Sequence, residues 1–384
     1  MYNRLILLPS APKRSFFLLG PRQVGKSTLL KSTYPKSLYI DFLKSDELMR
    51  FQEKPSLLRT EYAVHQSEFP IIIDEVQKVP LILDEVHWLI ENRKTKFVLC
   101  GSSARKLKRG KANLLGGRAL HFEMRGLLAG ELESGFSLEK ILNRGFLPEH
   151  YDADESEYPG LIRSYVGDYL KEEIAAEALV RNIPAFTTFL SAAAFSDTEP
   201  VNFSTISRDV GVSAHTIKEH FEILSDTMQG VWLPAFSKRL KRRVRQAPKF
   251  YFNDLGVVNF LSRRGKIALG SELFGKAFES YLFHEIDAYR VYKNPDLLLS
   301  YWHLTTGVEV DFIFNDMEAA VEIKGVSKVK SDHLKGLREL QADFPTIKAR
   351  YLVCLEERPR ITEDGIHILP YMEFLNKLWA KEIV

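Results

Sequence analysis

One ten-residue segment near the N-terminus constrains the fold more than any other part of the chain. It reads LGPRQVGKST from Leu19 to Thr28, follows the apolar run Phe16 to Leu19, and precedes two leucines that suit a helix. The pattern G-x-x-x-x-G-K-S between a strand and a helix is a P-loop, in which backbone N–H groups and the helix N-terminus surround phosphate groups. The sequence therefore predicts a nucleoside triphosphate site at Gly20, Pro21, Arg22, Gln23, Val24, Gly25, Lys26, Ser27 and Thr28.

Two acids at the end of a second buried strand complete the predicted chemistry. The run Pro70 to Asp74 is rich in β-branched residues and is followed by Glu75. We expect Lys26 to reach the β- and γ-phosphates, and we expect Ser27 and Asp74 to hold Mg²⁺. Glu75 is placed to orient and deprotonate the attacking water. The expected ligands are ATP and Mg²⁺, and the expected reaction is ATP hydrolysis.

A third strand, Lys96 to Cys100, brings Ser102 and Ser103 toward the same sheet edge. Ser102 is the preferred phosphate sensor and Ser103 the second choice, although either serine equally suits a helix N-cap. Arg118 is the candidate for stabilising charge on the transferred phosphoryl group, within the chain or from a neighbouring subunit of a homo-oligomer. The other basic residues of this loop suit a solvated face or a nucleic-acid contact: Arg105, Lys106, Lys108, Arg109 and Lys111.

Length and composition limit the class of protein. A chain of 384 residues exceeds the usual size of one core, so two or three domains are expected. The net charge of +3 indicates no partner by itself. Cys100 and Cys354 lie in apolar runs and are expected to be core thiols of a reducing compartment. No signal-peptide core or run of transmembrane length is visible, so a cytoplasmic protein without membrane contact is expected.

The motifs GPRQVGKS, IIIDEVQ and GSS with the later GGR resemble those of a bacterial and archaeal group of AAA+-type ATPases. Members of that group carry a C-terminal domain similar to PD-(D/E)XK nucleases. The resemblance implies an α/β P-loop NTPase with an AAA+-like parallel sheet and a helical lid. We therefore expect an ATPase core at 1–130, a lid at 131–198, a winged helix-turn-helix at 199–262 and a PD-(D/E)XK-like α/β domain at 263–384.

The winged helix is also predicted from the residues themselves. Phe203 to Val210 suits a short helix, Gly211 a turn, and Ser213 the N-cap of a second helix that runs to Leu224. Two strand-like runs follow, and Lys249 opens the second. A basic run between the strands predicts phosphate contacts with DNA, although a solvated wing on a domain-packing module would look the same. Its members are Lys238, Arg239, Lys241, Arg242, Arg243 and Arg245, and Lys249 completes a wing of seven positive charges.

The C-terminal part has the order helix, strand, hairpin, helix and strand, which is the core of the PD-(D/E)XK nuclease fold. Asp311 and Glu322 fall on adjacent strands and are expected to bind Mg²⁺ or Mn²⁺, with Glu279 as a third carboxylate. Lys324 shares a face with Glu322 and is expected to orient the attacking water. The alternatives are Glu309 as a ligand, a surface salt-bridge network of these acids, and a fold that serves only for binding. His303 and His284 could tune the site, although a lone histidine is more often structural.

These features support hypotheses from different classes. The first is an enzyme in which ATP controls DNA binding and metal-dependent DNA cleavage. The second is a nucleotide-switched signalling or defence ATPase whose nuclease-like domain binds a partner without cutting. A transcription-related DNA binder is a third. ATP hydrolysis is common to the first two.

Overall fold

The structure is a computed structural model that describes residues 2–62, 68–103, 115–173, 180, 182–236 and 247–384. Two sets of predicted contacts lie outside these ranges. One is the basic loop Arg105, Lys106, Lys108, Arg109 and Lys111. The other is the proposed DNA-binding set Lys238, Arg239, Lys241, Arg242, Arg243 and Arg245.

The N-terminal part is built on a five-stranded parallel sheet in the order β2-β3-β4-β1-β5. Because Leu19 pairs with both Gly101 and Glu123, the carboxyl ends of the central strands meet at one edge. This confirms the predicted α/β class with a parallel sheet. The elements are β1 Ser15–Leu19, α1 Lys26–Thr33, β2 Tyr39–Asp41, α2 Ser45–Glu53, α3 Leu57–Tyr62, β3 Ile71–Asp74, a 3₁₀ turn Val76–Lys78, α4 Ile82–Arg93, β4 Phe97–Gly101 and β5 Ala119–Glu123.

Both faces of this sheet are covered, which explains the continuous apolar sequence of its strands. Phe17 and Leu19 join one core with residues of α2, α3 and α4. Phe16 and Leu18 point to the opposite face and join a second core, which includes Phe189 and Phe221 from the middle of the chain. The sheet is therefore held between its own helices and the helices of the middle part.

The middle part consists of helices followed by an antiparallel two-stranded hairpin. Both predicted short helices are present, joined at Gly211 with φ 75°, and Ser213 caps the second by accepting from the Thr216 N–H. The elements are α5 Ala129–Leu132, a 3₁₀ turn Glu133–Gly135, α6 Leu138–Arg144, α7 Pro148–Asp152, α8 Tyr158–Ser164, a π-helical segment Tyr165–Glu173, α9 Ile183–Phe195, α10 Phe203–Val210, α11 Ala214–Asp226, β6 Gly230–Leu233, β7 Lys249–Phe252 and α12 Leu255–Leu261.

The C-terminal part packs a long helix and a six-stranded sheet in the order β12-β13-β11-β10-β9-β8. Strand β9 pairs antiparallel with both β8 and β10. Strand β11 pairs parallel with both β10 and β13. The elements are α13 Glu272–Lys293, β8 Leu299–His303, β9 Glu309–Phe314, β10 Ala319–Ile323, a 3₁₀ turn Ser331–Leu334, α14 Lys335–Asp343, β11 Ala349–Cys354, β12 Arg360–Ile361, β13 His367–Pro370 and α15 Tyr371–Trp379.

Cys100 and Cys354 are free and buried, as predicted for core thiols. Among the described helices, none combines the length and the apolar character needed to cross a membrane.

We predict that Phe221→Ala destabilises the protein by about 3–5 kcal/mol, because truncation leaves a cavity in a packed aromatic cluster. The Phe221 ring is fully buried, with its centroid 4.9 Å from that of Phe189 and 5.0 Å from that of Phe250. Urea unfolding followed by tryptophan fluorescence measures the loss. The matched control is Phe195→Ala, at a residue that is 62% exposed, where the change should stay within about 0.5 kcal/mol. Equal losses in the two variants would contradict the packing assignment.

Candidate nucleotide site and carboxylate cluster

The P-loop wraps the start of α1 in the way that its glycines allow. Gly25 has φ 96°, a conformation that favours glycine. A Cβ on Gly20 would lie 2.5 Å from the Met124 carbonyl oxygen, so this position also requires glycine. The Lys26 ammonium is buried and donates to the carbonyl oxygens of Gly20 at 2.8 Å and Pro21 at 2.7 Å. Burial lowers the pKa of Lys26. A lysine ammonium held here lies where it can contact the anionic oxygens of a ligand bound in the loop.

Asp74 is fixed at the end of β3 by three donors. Its Oδ2 accepts from the Ser27 hydroxyl at 2.6 Å and from the Tyr39 hydroxyl, and its Oδ1 accepts from the Glu75 N–H at 3.0 Å. A hydroxyl and a carboxylate oxygen side by side form the hard-oxygen donor set that Mg²⁺ prefers. Ser27 and Asp74 therefore fit the predicted ion. Tyr39 was not predicted; its place on β2, the neighbour of β3, is the signal that could have identified it.

A buried glutamine connects Glu75 to Ser102. The Gln77 amide nitrogen donates to Glu75 Oε2 and to Ser102 Oγ, the latter at 3.1 Å. Glu75 has φ 55°, and Gln77 is completely buried. The structure thus brings together the predicted base and the predicted sensor through a residue whose role the sequence analysis missed. Ser103 is buried at the same strand end.

Arg118 lies at the opposite edge of the sheet. It precedes Ala119, which pairs with Ser15 at the start of β1, whereas the P-loop follows Leu19 at the end of β1. The Arg118 guanidinium forms an exposed ion pair with Glu91 near the end of α4. Arg118 therefore does not complete the nucleotide site of its own chain. Action of Arg118 from a neighbouring subunit stays a prediction.

Arg4 ties the P-loop to the segment that follows β5. Its guanidinium donates to the Val24 carbonyl at 2.8 Å and to the Arg125 carbonyl at 2.6 Å. The same side chain forms a buried ion pair with Glu131 at 3.0 Å. No local motif marks Arg4, because its partners come from distant parts of the chain.

Arg125 continues this connection into α13. Its Nε lies 2.7 Å from Asp287 Oδ2, and both side chains are almost completely buried. Burial opposes the ionisation of Asp287, yet the charges of Arg125 and Arg290 hold the pKa of Asp287 below its usual range. We call Arg4, Glu131, Arg125 and Asp287 the polar seam. It joins the P-loop to the long helix of the C-terminal part.

A second constellation lies in the C-terminal part, where β9 and β10 are neighbours. Asp311 Oδ2 accepts from the Ile323 N–H at 2.7 Å, and the Lys324 ammonium lies 2.5 Å from Glu322 Oε1. Burial raises the pKa of Glu322 well above its usual range, and the neighbouring charge of Asp311 adds to the rise. The structure therefore brings Asp311, Glu322 and Lys324 together, as predicted.

Glu279 and Glu309 extend this constellation toward the hairpin. Glu279 Oε1 accepts from the Tyr251 hydroxyl at 2.6 Å and from the Lys249 ammonium at 3.2 Å. Burial raises the pKa of Glu279 to about 8, against the opposing charge of Lys249. Glu309 Oε2 lies 3.1 Å from His303 Nδ1 and 4.0 Å from the Lys249 ammonium. We call Glu279, Glu309, Asp311 and Glu322 the carboxylate cluster.

Two predictions about this region need correction, and His284 has the structural role that is common for a lone histidine. Lys249, which the sequence places in the basic wing, is 1% exposed and faces the carboxylate cluster instead. His284 stacks on Phe146 with ring centroids 3.8 Å apart, and burial lowers its pKa to about 3, so it serves packing rather than this cluster.

The second correction concerns the metal set Glu279, Asp311 and Glu322. Among the described residues, no three His, Cys, Asp or Glu side chains form a group that could hold a metal ion as they are arranged here. In the carboxylate cluster, the ammonium groups of Lys249 and Lys324 lie against the acids instead. The arrangement does not fit Mg²⁺ or Mn²⁺.

Family models match three successive regions of the chain. Residues 12–133 match the AAA domain family. Residues 135–267 match a domain of unknown function, DUF8612, and residues 274–374 match another, DUF4143. The N-terminal region is therefore a P-loop domain of the AAA type, which supports ATP binding and hydrolysis. A single model spans both the predicted lid and the predicted winged helix.

Similar proteins add little about activity. The uncharacterized protein Rv2008c of Mycobacterium tuberculosis is 24% identical over 301 residues, which cover 77% of this chain and 66% of that protein. The chain thus spans just under two thirds of the length of this curated relative.

Two solved structures are distant neighbours. The Aeropyrum pernix ORC1 protein in complex with DNA is 11% identical, covers 65% of this chain and 87% of its own, and has a TM-score of 0.24. The Pyrococcus horikoshii signal transduction ATPase with numerous domains, PH0952, is 12% identical, covers 76% and 48%, and has a TM-score of 0.21. Similarity at this level indicates nothing about the activity of this chain.

Proposed function

We propose that this protein is an ATP-hydrolysing switch whose nucleotide state is passed to its C-terminal domain. One observation carries the proposal: Lys26, Ser27, Asp74 and Glu75 meet at the edge where the parallel strands end. That edge is where ligands bind in open α/β sheets. The AAA domain match over 12–133 supports the same activity.

The residues of the chain divide the work of hydrolysis. Lys26 donates to phosphate oxygens in place of the loop carbonyls that it contacts here. Ser27 and Asp74 would hold Mg²⁺, which supplies charge neutralisation when it is bound. Glu75 accepts a proton from the attacking water, and Gln77 keeps its carboxylate beside Ser102. Gln77 acts through Glu75 and is therefore a positioning residue.

The polar seam supports transmission of the nucleotide state. Arg4 contacts the Val24 carbonyl inside the P-loop, and Arg125 contacts Asp287 on α13. A change in P-loop geometry thus acts on groups that are bonded directly to the C-terminal helix.

DNA binding with metal-dependent cleavage is a second candidate. It is favoured by the gathering of Asp311, Glu322 and Lys324 on neighbouring strands of the C-terminal sheet. Helices α10 and α11 followed by the β6–β7 hairpin have the order of a winged helix, which suits nucleic acid. Cleavage is disfavoured because the carboxylate cluster, with two lysine ammonium groups against its acids, does not fit Mg²⁺ or Mn²⁺. If cleavage is absent, the C-terminal domain would bind a partner without cutting it.

We predict that Lys26→Ala and Glu75→Gln separate binding from turnover. Loss of the lysine removes charged hydrogen bonds to phosphate, each worth about 1.5–3 kcal/mol, so ATP affinity falls. Glu75→Gln should bind ATP with unchanged affinity and hydrolyse it roughly 10²–10⁴-fold more slowly, the usual contribution of a general base. Fluorescent-nucleotide titration and phosphate release measure the two effects.

The matched controls for these variants are Lys13→Ala and Glu53→Gln, at exposed positions away from the P-loop. Neither should change binding or turnover. Undiminished hydrolysis by Glu75→Gln would assign the base to another residue and remove the proposed mechanism.

We predict that ATP changes the hydrogen exchange of α13 and that the polar seam is needed for this change. The test uses Glu75→Gln, which retains ATP, with and without the paired replacement Arg125→Met/Asp287→Leu. Replacing both members of a buried ion pair by apolar groups is often neutral for stability. The paired variant should keep ATP affinity and lose the response of residues 272–293. A response that survives in this variant would exclude the seam as the route.

For the second candidate, we predict that any cleavage of linear, circular or single-stranded DNA disappears in Asp311→Ala. Because Asp311 accepts from the backbone of β10 at the centre of the cluster, its loss disrupts the cluster. The assay is run in Mg²⁺ and in Mn²⁺, each with and without ATP. Complete absence of cleavage with intact ATP hydrolysis would leave partner binding as the role of the domain. Cleavage that persists in Asp311→Ala would place the nuclease elsewhere.

A further inference from the structure

The carboxylate cluster concentrates four acids that are contributed by three elements. Glu279 comes from α13, Glu309 and Asp311 from β9, and Glu322 from β10. Glu279, Asp311 and Glu322 are largely inaccessible to solvent. Glu322 Oε2 is buried and has no hydrogen-bond partner among the described residues. Buried carboxylates in such numbers require positive charge nearby, since an unpaired buried charge is strongly destabilising.

One of the compensating charges comes from outside the C-terminal part. Lys249 is the first residue of β7, in the hairpin of the middle part, and its side chain is 1% exposed. The ammonium lies 3.2 Å from Glu279 Oε1 and 4.0 Å from Glu309 Oε2. It also lies 5.2 Å from the centre of the Tyr301 ring, a distance that suits a cation–π contact.

The position of Lys249 is fixed by hydrogen bonds that join Pro234, Phe236 and Ala247 to Tyr301 of β8. Phe236 donates its N–H to the Tyr301 carbonyl at 2.7 Å, and Tyr301 donates its own N–H to the Pro234 carbonyl at 3.0 Å. The Tyr301 hydroxyl contacts the Ala247 carbonyl, two residues before Lys249. The hairpin is thus held against β8, and Lys249 has a defined entry to the cluster.

We propose that Lys249 is the resident cation of the carboxylate cluster and occupies the place that a divalent metal would take. Its single charge lies between Glu279 and Glu309, while Lys324 neutralises Glu322 from the other side. The cluster is therefore closed to metal ions as long as the hairpin keeps Lys249 in place. Once this ammonium is removed, the acids can draw together around a divalent cation and serve as its oxygen ligands. The proposal stands apart from ATP hydrolysis.

The test is Mn²⁺ binding to the full chain without nucleotide, measured by electron paramagnetic resonance and by calorimetric titration. Lys249→Met removes the charge and keeps the side-chain stem, and it should bind Mn²⁺ at least about tenfold more tightly than the natural chain. Lys249→Arg keeps the charge and should show no gain. Lys249→Met/Asp311→Asn should lose the gain, because the new site depends on the cluster rather than on the P-loop.

A second variant keeps the proposal open to refutation if Lys249→Met does not fold. Lys249→Met/Glu279→Gln removes the cation together with its closest acid and leaves three carboxylates. This variant should also bind Mn²⁺ more tightly than the natural chain, and Mn²⁺ should raise its melting temperature by mass action. Equal Mn²⁺ titrations for the natural chain and the folded lysine variants would overturn the proposal. An Asp311-dependent Mn²⁺ site that is already present in the natural chain would overturn it as well.

Discussion

The buried ion pair between Arg125 and Asp287 is the contact on which the relation between the two ends of the chain depends. Removing two charges from water costs several kcal/mol for each ion, so such a pair persists only with good geometry and further hydrogen bonds. Here the backbone of Arg125 is engaged as well: its N–H donates to the Tyr292 hydroxyl and its carbonyl accepts from Arg4. The result is a fixed joint between a helix of the C-terminal part and the loop that faces the nucleotide.

The elements that a short stretch of sequence determines were predictable. The P-loop and the acids after β3 could be located because a glycine pattern and a buried strand are local signals, and parallel strands end at one edge. The same holds for α10 and α11, whose turn at Gly211 and cap at Ser213 are encoded within a few residues. The order of strands around Asp311 and Glu322 followed from alternation and turn residues.

The rest depended on contacts between residues far apart in the chain. Lys249 follows a basic run, so its sequence neighbours suggest a solvated surface, yet its carboxylate partners lie 30 and 60 positions later. Arg4 and Arg125 carry no pattern, since what defines them is a set of carbonyl and carboxylate groups that only the fold assembles. Arg118 precedes β5, and because parallel strands begin at the edge opposite the nucleotide site, the direction of this strand places Arg118 away from the P-loop.

The entry of Lys249 has a consequence for how such proteins can be rearranged. The region 274–374 that matches a separate domain family keeps all four acids of the cluster but only Lys324 of the two lysines that face them. Without the hairpin, this region would contain four clustered acids and only one of the two lysines that face them. Any new neighbour in a fused or recombined chain would have to present a cation at the same spot. The packing of the two regions therefore depends on a charge that region 274–374 does not itself contain.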